Sequence, residues 1–383
     1  MSKSNETTPN VPTLRFKQFQ DNWSSKRLSD IAEVVGGGTP DTTDSTFWNG
    51  GIQWFTPTEV GHSKYVSMSV RTISQLGLQK SSAKILPAGS ILLSSRATVG
   101  ECSITQKDCT TNQGFQNLIP KKGINNEFLY YLAQTQKRHF IKYASGSTFL
   151  EISNSEIKKT KCAVPSIEEQ TEIAKFLSAI DRKIEVQNKI ISKYETLIKG
   201  IRERIVNCGW QWKKLDELIQ EGVVRLNRGN IIPKHQKDNT YKYPVYSSST
   251  QNNGLMGYND TYMFDKELIT WSIDGGGNFF YRKKHKFNVT NVCGIMQVDE
   301  NVYSYRFITE MLTYQHSKMK FDYQSKAHPS VISSLYSLPC LPISEQNFYC
   351  QLFIVLDKKM HIEQCSLNKL KEQKKYLLSK MFI

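Results

Sequence analysis

Several familiar signatures are missing from these 383 residues, and each absence removes a class of function. Eight cysteines (Cys102, Cys109, Cys162, Cys208, Cys293, Cys340, Cys350 and Cys365) form no C-x-x-C pair and keep no regular spacing. Neither a zinc site nor a disulfide framework is expected, and free thiols suit a reducing cytosol. The polar start, Met1 to Asn10, has no charged-then-apolar leader, and no apolar run nears the roughly 18 residues of a membrane span. A cytoplasmic protein is the expectation. There is no G-x-x-x-x-G-K-[ST] loop, so ATP-driven motor chemistry is not expected in this chain. Gly36-Gly37-Gly38 and Gly275-Gly276-Gly277 do not complete G-x-G-x-x-G and read as turns. No Asn-Pro-Pro-aromatic or Asp-Pro-Pro-aromatic run is present for amino-group methylation, and the seven histidines make no H-E-x-x-H. Acid-x-Lys pairs of nuclease type occur as Asp181-Arg182-Lys183 and Asp357-Lys358-Lys359. Both lie in helical stretches, where such charge is a solvated face. The sequence assigns no catalytic and no metal-ligating residue.

What is present is positive charge, length and repetition. Fifty Lys plus Arg against 35 Asp plus Glu leave a formal charge of +15, which points to a polyanion, nucleic acid first. The length allows two to three domains, each with its own core.

Residues 167 to 208 carry apolar side chains at alternating spacings of four and three. Ile173, Leu177, Ile180, Ile184, Ile191, Tyr194, Ile198, Ile201 and Ile205 keep one heptad frame, interrupted only by Gln187. This predicts a long helix with a coiled-coil seam. Ser166 and Glu169 read as a capping box at its start, and residues 127 to 143 read as one shorter helix before it.

After Cys208-Gly209 the plan begins again. Trp23, Lys26 and Leu28 return as Trp210, Lys213 and Leu215; Thr111-Asn112 and Phe128 return as Thr290-Asn291 and Phe307. Gln170 and Asp181-Arg182-Lys183 return as Gln346 and Asp357-Lys358-Lys359, a shift of 176. Applying that shift to the first seam predicts a second one at Tyr349, Phe353, Leu356, Met360, Glu363, Leu367, Leu370, Lys374, Leu377 and Met381. The polar break at Gln187 maps onto Glu363. An antiparallel pair related by a pseudo-two-fold axis follows, with Gln187 opposite about Leu367 and Glu363 opposite about Ile191.

The expected fold class is therefore mixed α+β. It consists of two globular α/β bodies in pseudo-two-fold repeat, separated by two long helices that form an antiparallel coiled coil. The expected domains are residues 1–165 and 209–342, the two globular bodies, and residues 166–208 and 343–383, the two helices.

Sequence readout of DNA needs phosphate contacts to position the protein and base-edge contacts to specify the site. Candidates in the first body are Arg96 and Thr98 after the strand at 91 to 95, Gln113 in the Thr-Asn-Gln-Gly turn, and Ser147 with Thr148. In the second they are Tyr246, Ser247, Ser248, Asn252, Asn253, Asp274 and the basic run Arg282, Lys283, Lys284, His285 and Lys286. The run is the stronger candidate for phosphate contact.

Taken together, these features resemble the specificity subunit of a Type I restriction-modification system. The resemblance rests on Leu14-Arg15-Phe16 with Trp23, Gly37-Gly38-Thr39-Pro40 with Trp48 and Ile52-Gln53-Trp54, and Ser95-Arg96-Ala97-Thr98-Val99-Gly100. It rests also on Tyr243-Pro244-Val245-Tyr246-Ser247-Ser248 with Asn253-Gly254, and on Pro-then-Glu-Gln at 165 to 170 and 342 to 346. The second such stretch is one residue shorter.

The resemblance implies two target recognition domains, each reading half of a bipartite site in double-stranded DNA. It implies helices that dock two modification subunits, which carry S-adenosylmethionine and methylate adenine at N6. Restriction subunits would carry ATP and Mg, leaving this chain without a cofactor and non-catalytic. A stand-alone DNA-modifying enzyme and a coiled-coil scaffold without a DNA role are the alternative classes. From Ile173 to Ile205 the seam would run roughly 48 Å, against about 34 to 36 Å per turn of DNA. The helices are thus expected to set the spacer between half-sites.

Overall fold

The computed structural model describes residues 11–146, 150–232, 242–249, 251–274, 276–319 and 326–383. The chain divides into two compact units, residues 1–188 with 365–383, and residues 189–364. The two long helices, Ile167–Asn207 and Ile343–Met381, each contribute one half to either unit.

In the first unit a five-stranded sheet has the order Ala32–Gly36, Gln116–Pro120, Ile91–Leu93, Cys102–Thr105 and Tyr65–Val66. A three-stranded sheet joins Arg71–Ile73, Trp48–Phe55 and Cys109–Thr111. The Ile91–Leu93 strand is buried throughout, which accounts for its unbroken apolar run. Residues 127 to 143 are two helices, Asn126–Thr135 and Lys137–Tyr143, rather than the single one expected. The Thr135 hydroxyl donates back to Leu132 O at 2.7 Å, and Gln136 N is shared between Leu132 O and Ala133 O at 3.2 Å each. That competition for carbonyls breaks the helix.

The second unit is built on a six-stranded sheet, ordered Val224–Arg228, Cys293–Val298, Phe264–Ser272, Phe279–Val289, Tyr243–Tyr246 and Leu255–Asn259. Its helix Tyr305–Lys318 takes the place of Asn126–Thr135. The repeat extends to single bonds. Ser94 bridges Phe115 in the first unit and Trp271 pairs with Gly294 in the second. Asn112 N donates to Phe55 O at 3.0 Å; in the second unit the donor is one residue earlier in the corresponding pair, Thr290 N to Tyr246 O at 2.9 Å.

All ten seam positions of each long helix are buried or half-buried, including Gln187, Glu363 and Lys374. In the first unit Leu177 and Ile180 share a core with Leu377 and Met381. In the second, Ile198 and Ile205 share one with Phe353 and Leu356. Start packs on end in both, so the helices are antiparallel. An ion pair between Asp181 Oδ1 and Lys374 Nζ at 2.7 Å lies within one residue of the register that sets Gln187 opposite Leu367.

The start of each long helix is held by a buried glutamine. Gln170 Oε1 accepts from Asn125 N at 2.9 Å, while its Nε2 donates to Gly123 O at 3.3 Å and Pro165 O at 3.0 Å. Gln346 repeats the pattern with Ser304 N at 3.0 Å, Val302 O at 2.8 Å and Leu341 O at 2.9 Å. The preceding glutamate does not repeat. Ser166 Oγ accepts from Glu169 N at 3.4 Å, but the Glu169 carboxylate does not close the expected capping box. It is buried and accepts from Arg15 Nε and Nη2, both at 2.7 Å, and from Trp23 Nε1 at 3.2 Å. A charge-assisted bidentate pair outcompetes a single backbone N–H. Glu345, in the corresponding place, is exposed.

Candidate nucleic-acid interface

In both units a glycine lets the backbone run against the Thr-Asn turn. A Cβ on Gly37 would lie 2.0 Å from Asn112 O, and one on Gly229 would lie 2.4 Å from Thr290 O and 2.1 Å from Val289 O just before it. Only glycine allows that approach.

In the first unit the Ser94–Phe115 bridge, with Ser95 N donating to Gly114 O at 2.8 Å, sets the 96–98 turn beside the 112–114 turn. Arg96, Ala97, Asn112, Gln113, Gly114 and Pro57 line a depression of about 250 Å³. Arg96 and Gln113 are exposed. Arg96 Nε stands 3.8 Å from Glu151 Oε2, and Gln113 Oε1 accepts from Thr39 Oγ1. Thr98 turns its hydroxyl inward, bonding Ser94 Oγ at 2.9 Å and Pro57 O at 3.4 Å. Ala97 has a φ of +62°, a left-handed conformation rare for alanine and characteristic of loops shaped for a task. Ser147 and Thr148 lie outside the described residues.

The equivalent surface of the second unit carries different side chains. Asp274 takes the place of Ala97, is exposed and stands 3.5 Å from Lys326 Nζ. Ser272 Oγ donates to Ser248 O at 2.6 Å and Thr290 Oγ1 to Ser247 Oγ at 3.1 Å, which draws the 246–248 segment onto the sheet. Asn252 and Asn253 are exposed and left-handed, with φ of 48° and 51°. Arg228, Lys326 and His328 were not among the sequence candidates. Arg228 Nη2 lies 2.5 Å from His328 Nδ1, a contact across 100 residues that no local pattern announces.

The basic run divides. Lys283, Lys284 and Lys286 are exposed, with Lys286 Nζ 4.5 Å from the Tyr262 ring centroid. His285 is half-buried, stacks on Phe287 at 4.7 Å and lies 3.2 Å from the Tyr246 hydroxyl. Arg282 does not belong to the exposed run, which corrects the sequence reading. It is 4 % exposed, its Nε donates to Thr270 Oγ1 at 2.9 Å, and its guanidinium lies 3.6 Å from the Tyr246 ring centroid. Pairing slips between Lys266 and Leu268, so Lys266 faces His285 while Leu268 faces Arg282. The bulge lets two successive lysines face out and turns Arg282 inward. Among the described residues no group of three or more His, Cys, Asp or Glu is placed to hold a metal ion. No described helix is long and apolar enough to cross a membrane.

The family described as Type I restriction modification DNA specificity domain matches the chain twice, over residues 20–196 and 207–372. The chain belongs to this family. Specificity-domain proteins of this kind are in general non-catalytic. Among similar curated proteins, the Type I restriction enzyme MjaIX specificity subunit of Methanocaldococcus jannaschii is 41% identical over 223 residues, 52% of each chain. The EcoR124I/EcoR124II specificity subunit of Escherichia coli is 28% identical over 203 residues, 48% of this chain and 50% of that one. The matches span about half the length of these relatives. A solved Type I restriction-modification S subunit from M. genitalium has the same fold, with a TM-score of 0.64 at 16% identity over 97% of this chain and 99% of that one. A chain from a structure of Type I R-M complex assembly and conformational transition aligns with a TM-score of 0.54 at 14% identity, over 94% and 97%.

Proposed function

We propose that this chain is the DNA specificity subunit of a Type I restriction-modification complex and reads a bipartite target. The observation that carries the reading is one body plan with two faces. At the same place on the repeated scaffold the first unit presents Arg96-Ala97 and Asn112-Gln113, whereas the second presents Asp274 and Asn291-Val292 and turns Ile273, at the place of Arg96, into its core. Equal scaffolds with unequal side chains suit two different half-sites.

The helices support the second half of the proposal, docking of two copies of one modification subunit. Phe176, Ala179 and Val186 leave an apolar stripe exposed on the first helix, and Leu352, Val355 and Ile362 leave one on the second. The stripes are related by the 176-residue shift, as two sites for the same partner would be. In this reading S-adenosylmethionine arrives with the modification subunits, ATP and Mg with restriction subunits, and the present chain contributes no cofactor.

The test is to incubate the chain with duplex DNA and S-adenosylmethionine, alone and then with a modification subunit. N6-methyladenine should form only in the second mixture, at a two-part sequence. Methylation by the chain alone would refute the reading, as would DNA affinity that does not fall with salt.

A further inference from the structure

The two units differ where the recognition body meets its own stretch of long helix. In the first unit that space is filled by Lys64. Its Nζ lies 3.0 Å from Glu127 Oε2, 3.1 Å from the Tyr131 hydroxyl and 2.6 Å from Ser178 Oγ. Tyr131 in turn donates to Asp181 Oδ2 at 2.5 Å. Lys64 arrives there because the strand beginning at Tyr65 pairs alongside Ile104.

The second unit keeps the frame and changes the charges. Ile104, opposite Ile91, is replaced by Arg282, opposite Leu268. Along the repeat Glu127 becomes Arg306, Tyr131 becomes Glu310, and Asp181 remains an aspartate as Asp357. The space is not filled: a cleft of about 630 Å³ remains, lined by Arg202, Asn253, Phe280, Arg282, Arg306, Glu310 and Asp357 among others. That is within the usual size of a small-molecule site.

The two acids beside the arginines are engaged. Glu310 accepts from Arg202 Nε at 2.7 Å and pairs with Arg306 Nη2 at 2.5 Å, and Arg306 Nη2 also meets Asp357 Oδ2 at 2.5 Å. Glu195, a third lining acid, is exposed and bonds to none of the three arginines among the described residues. Arg282 is left with no carboxylate at ion-pair distance among the described residues. Its Nη2 and the Nε of Arg306 are buried and have no hydrogen-bond partner there. A buried cation without a counter-charge is costly. Burial accordingly pushes the Arg282 guanidinium down to about 10.

We propose that this cleft binds a carboxylate carried on a planar or apolar body, the charge complement of the lysine that fills the corresponding space in the first unit. The carboxylate pairs with Arg282 and Arg306, and the Phe280 and Tyr281 walls cover the body of the ligand. A polyphosphate fits less well, because Glu195, Glu310 and Asp357 line the same cleft.

The probe is 4-fluorobenzoate, followed by fluorine NMR on the full chain, with 4-fluorobenzamidine as the cationic control and inorganic phosphate as competitor. Saturable benzoate binding is expected, weakening as salt rises. Binding should be about tenfold weaker in Arg282→Met, whose free chain should melt no lower than the wild type because an unpaired charge has been removed. Should that variant not fold, Asn253→Asp carries the test. It sets a resident carboxylate beside Gly254, whose Cβ position is 3.3 Å from Arg282 Nη2, and should exclude the probe. Adding the modification subunit then identifies the source. Displacement of the probe marks an acidic side chain of that protein, and retention marks a free small molecule. No saturable benzoate binding, equal binding to Arg282→Met, or displacement by phosphate at lower concentration than by benzoate overturns the proposal.

Discussion

Glu169 and Glu345 occupy equivalent places in the repeat, and substituting each by alanine should have very different effects. Glu169 and Arg15 have side chains only 2% and 13% exposed, and the carboxylate also takes the Trp23 indole N–H. Glu169→Ala removes the carboxylate that accepts from the Trp23 indole N–H and from a largely buried guanidinium, which then keeps Asp21 O at 2.6 Å but no counter-charge. Breaking such a pair costs about 3 kcal/mol. With a urea dependence near 2 to 3 kcal/mol per molar, the midpoint of the affected transition should fall by about 1 M. Glu345 is exposed in the first helical turn, where a carboxylate contributes at most roughly 0.5 kcal/mol through the helix dipole. Glu345→Ala should move its transition by no more than about 0.2 M. Urea titration with hydrogen exchange read by mass spectrometry assigns each shift to its unit. The double variant Arg15→Met, Glu169→Met should recover part of the loss, since the charge is then no longer stranded. Equal midpoints for the two alanine variants would show that the Arg15 pair contributes nothing and would refute the reasoning.

Val186→Asp and Ile362→Asp should each remove one modification subunit from the assembly, and the double variant both; native mass spectrometry that still counts two subunits in the double variant would discard the stripes as docking sites. Gln187→Leu with Glu363→Leu should raise the melting temperature, worth about 1 kcal/mol, if the polar positions trade stability for register; a large drop in a thermal scan would mean that they hold the helices together. Inserting one heptad into each long helix adds roughly 10 Å and should lengthen the spacer between half-sites while leaving their bases alone, which methylome sequencing reads directly.

The helices and the repeat were legible because a seam writes itself at fixed intervals and duplication writes it twice. The repeat makes Gln170 and Gln346 correspond but hides their purpose, since two of the three partners of each are backbone atoms of a turn more than forty residues earlier. The divergence of Glu169 from Glu345 was invisible for the same reason: Arg15 lies 154 residues away. Strict alternation along Phe279–Val289 cannot reveal a bulge, and that single slip turns Arg282 inward while Lys283 and Lys284 face water. The contact of Arg228 with His328 is not legible in the sequence, because nothing in either neighbourhood hints at the other.

The two buried glutamines have a consequence for how such a protein can change. Each amide grips only main-chain N–H and C=O groups, so the fitting between long helix and recognition body makes no demand on side chains at the gripped positions. It works like a standard thread cut into otherwise dissimilar parts. The outward surface of each unit can change its side chains, provided the turn at its foot keeps its shape.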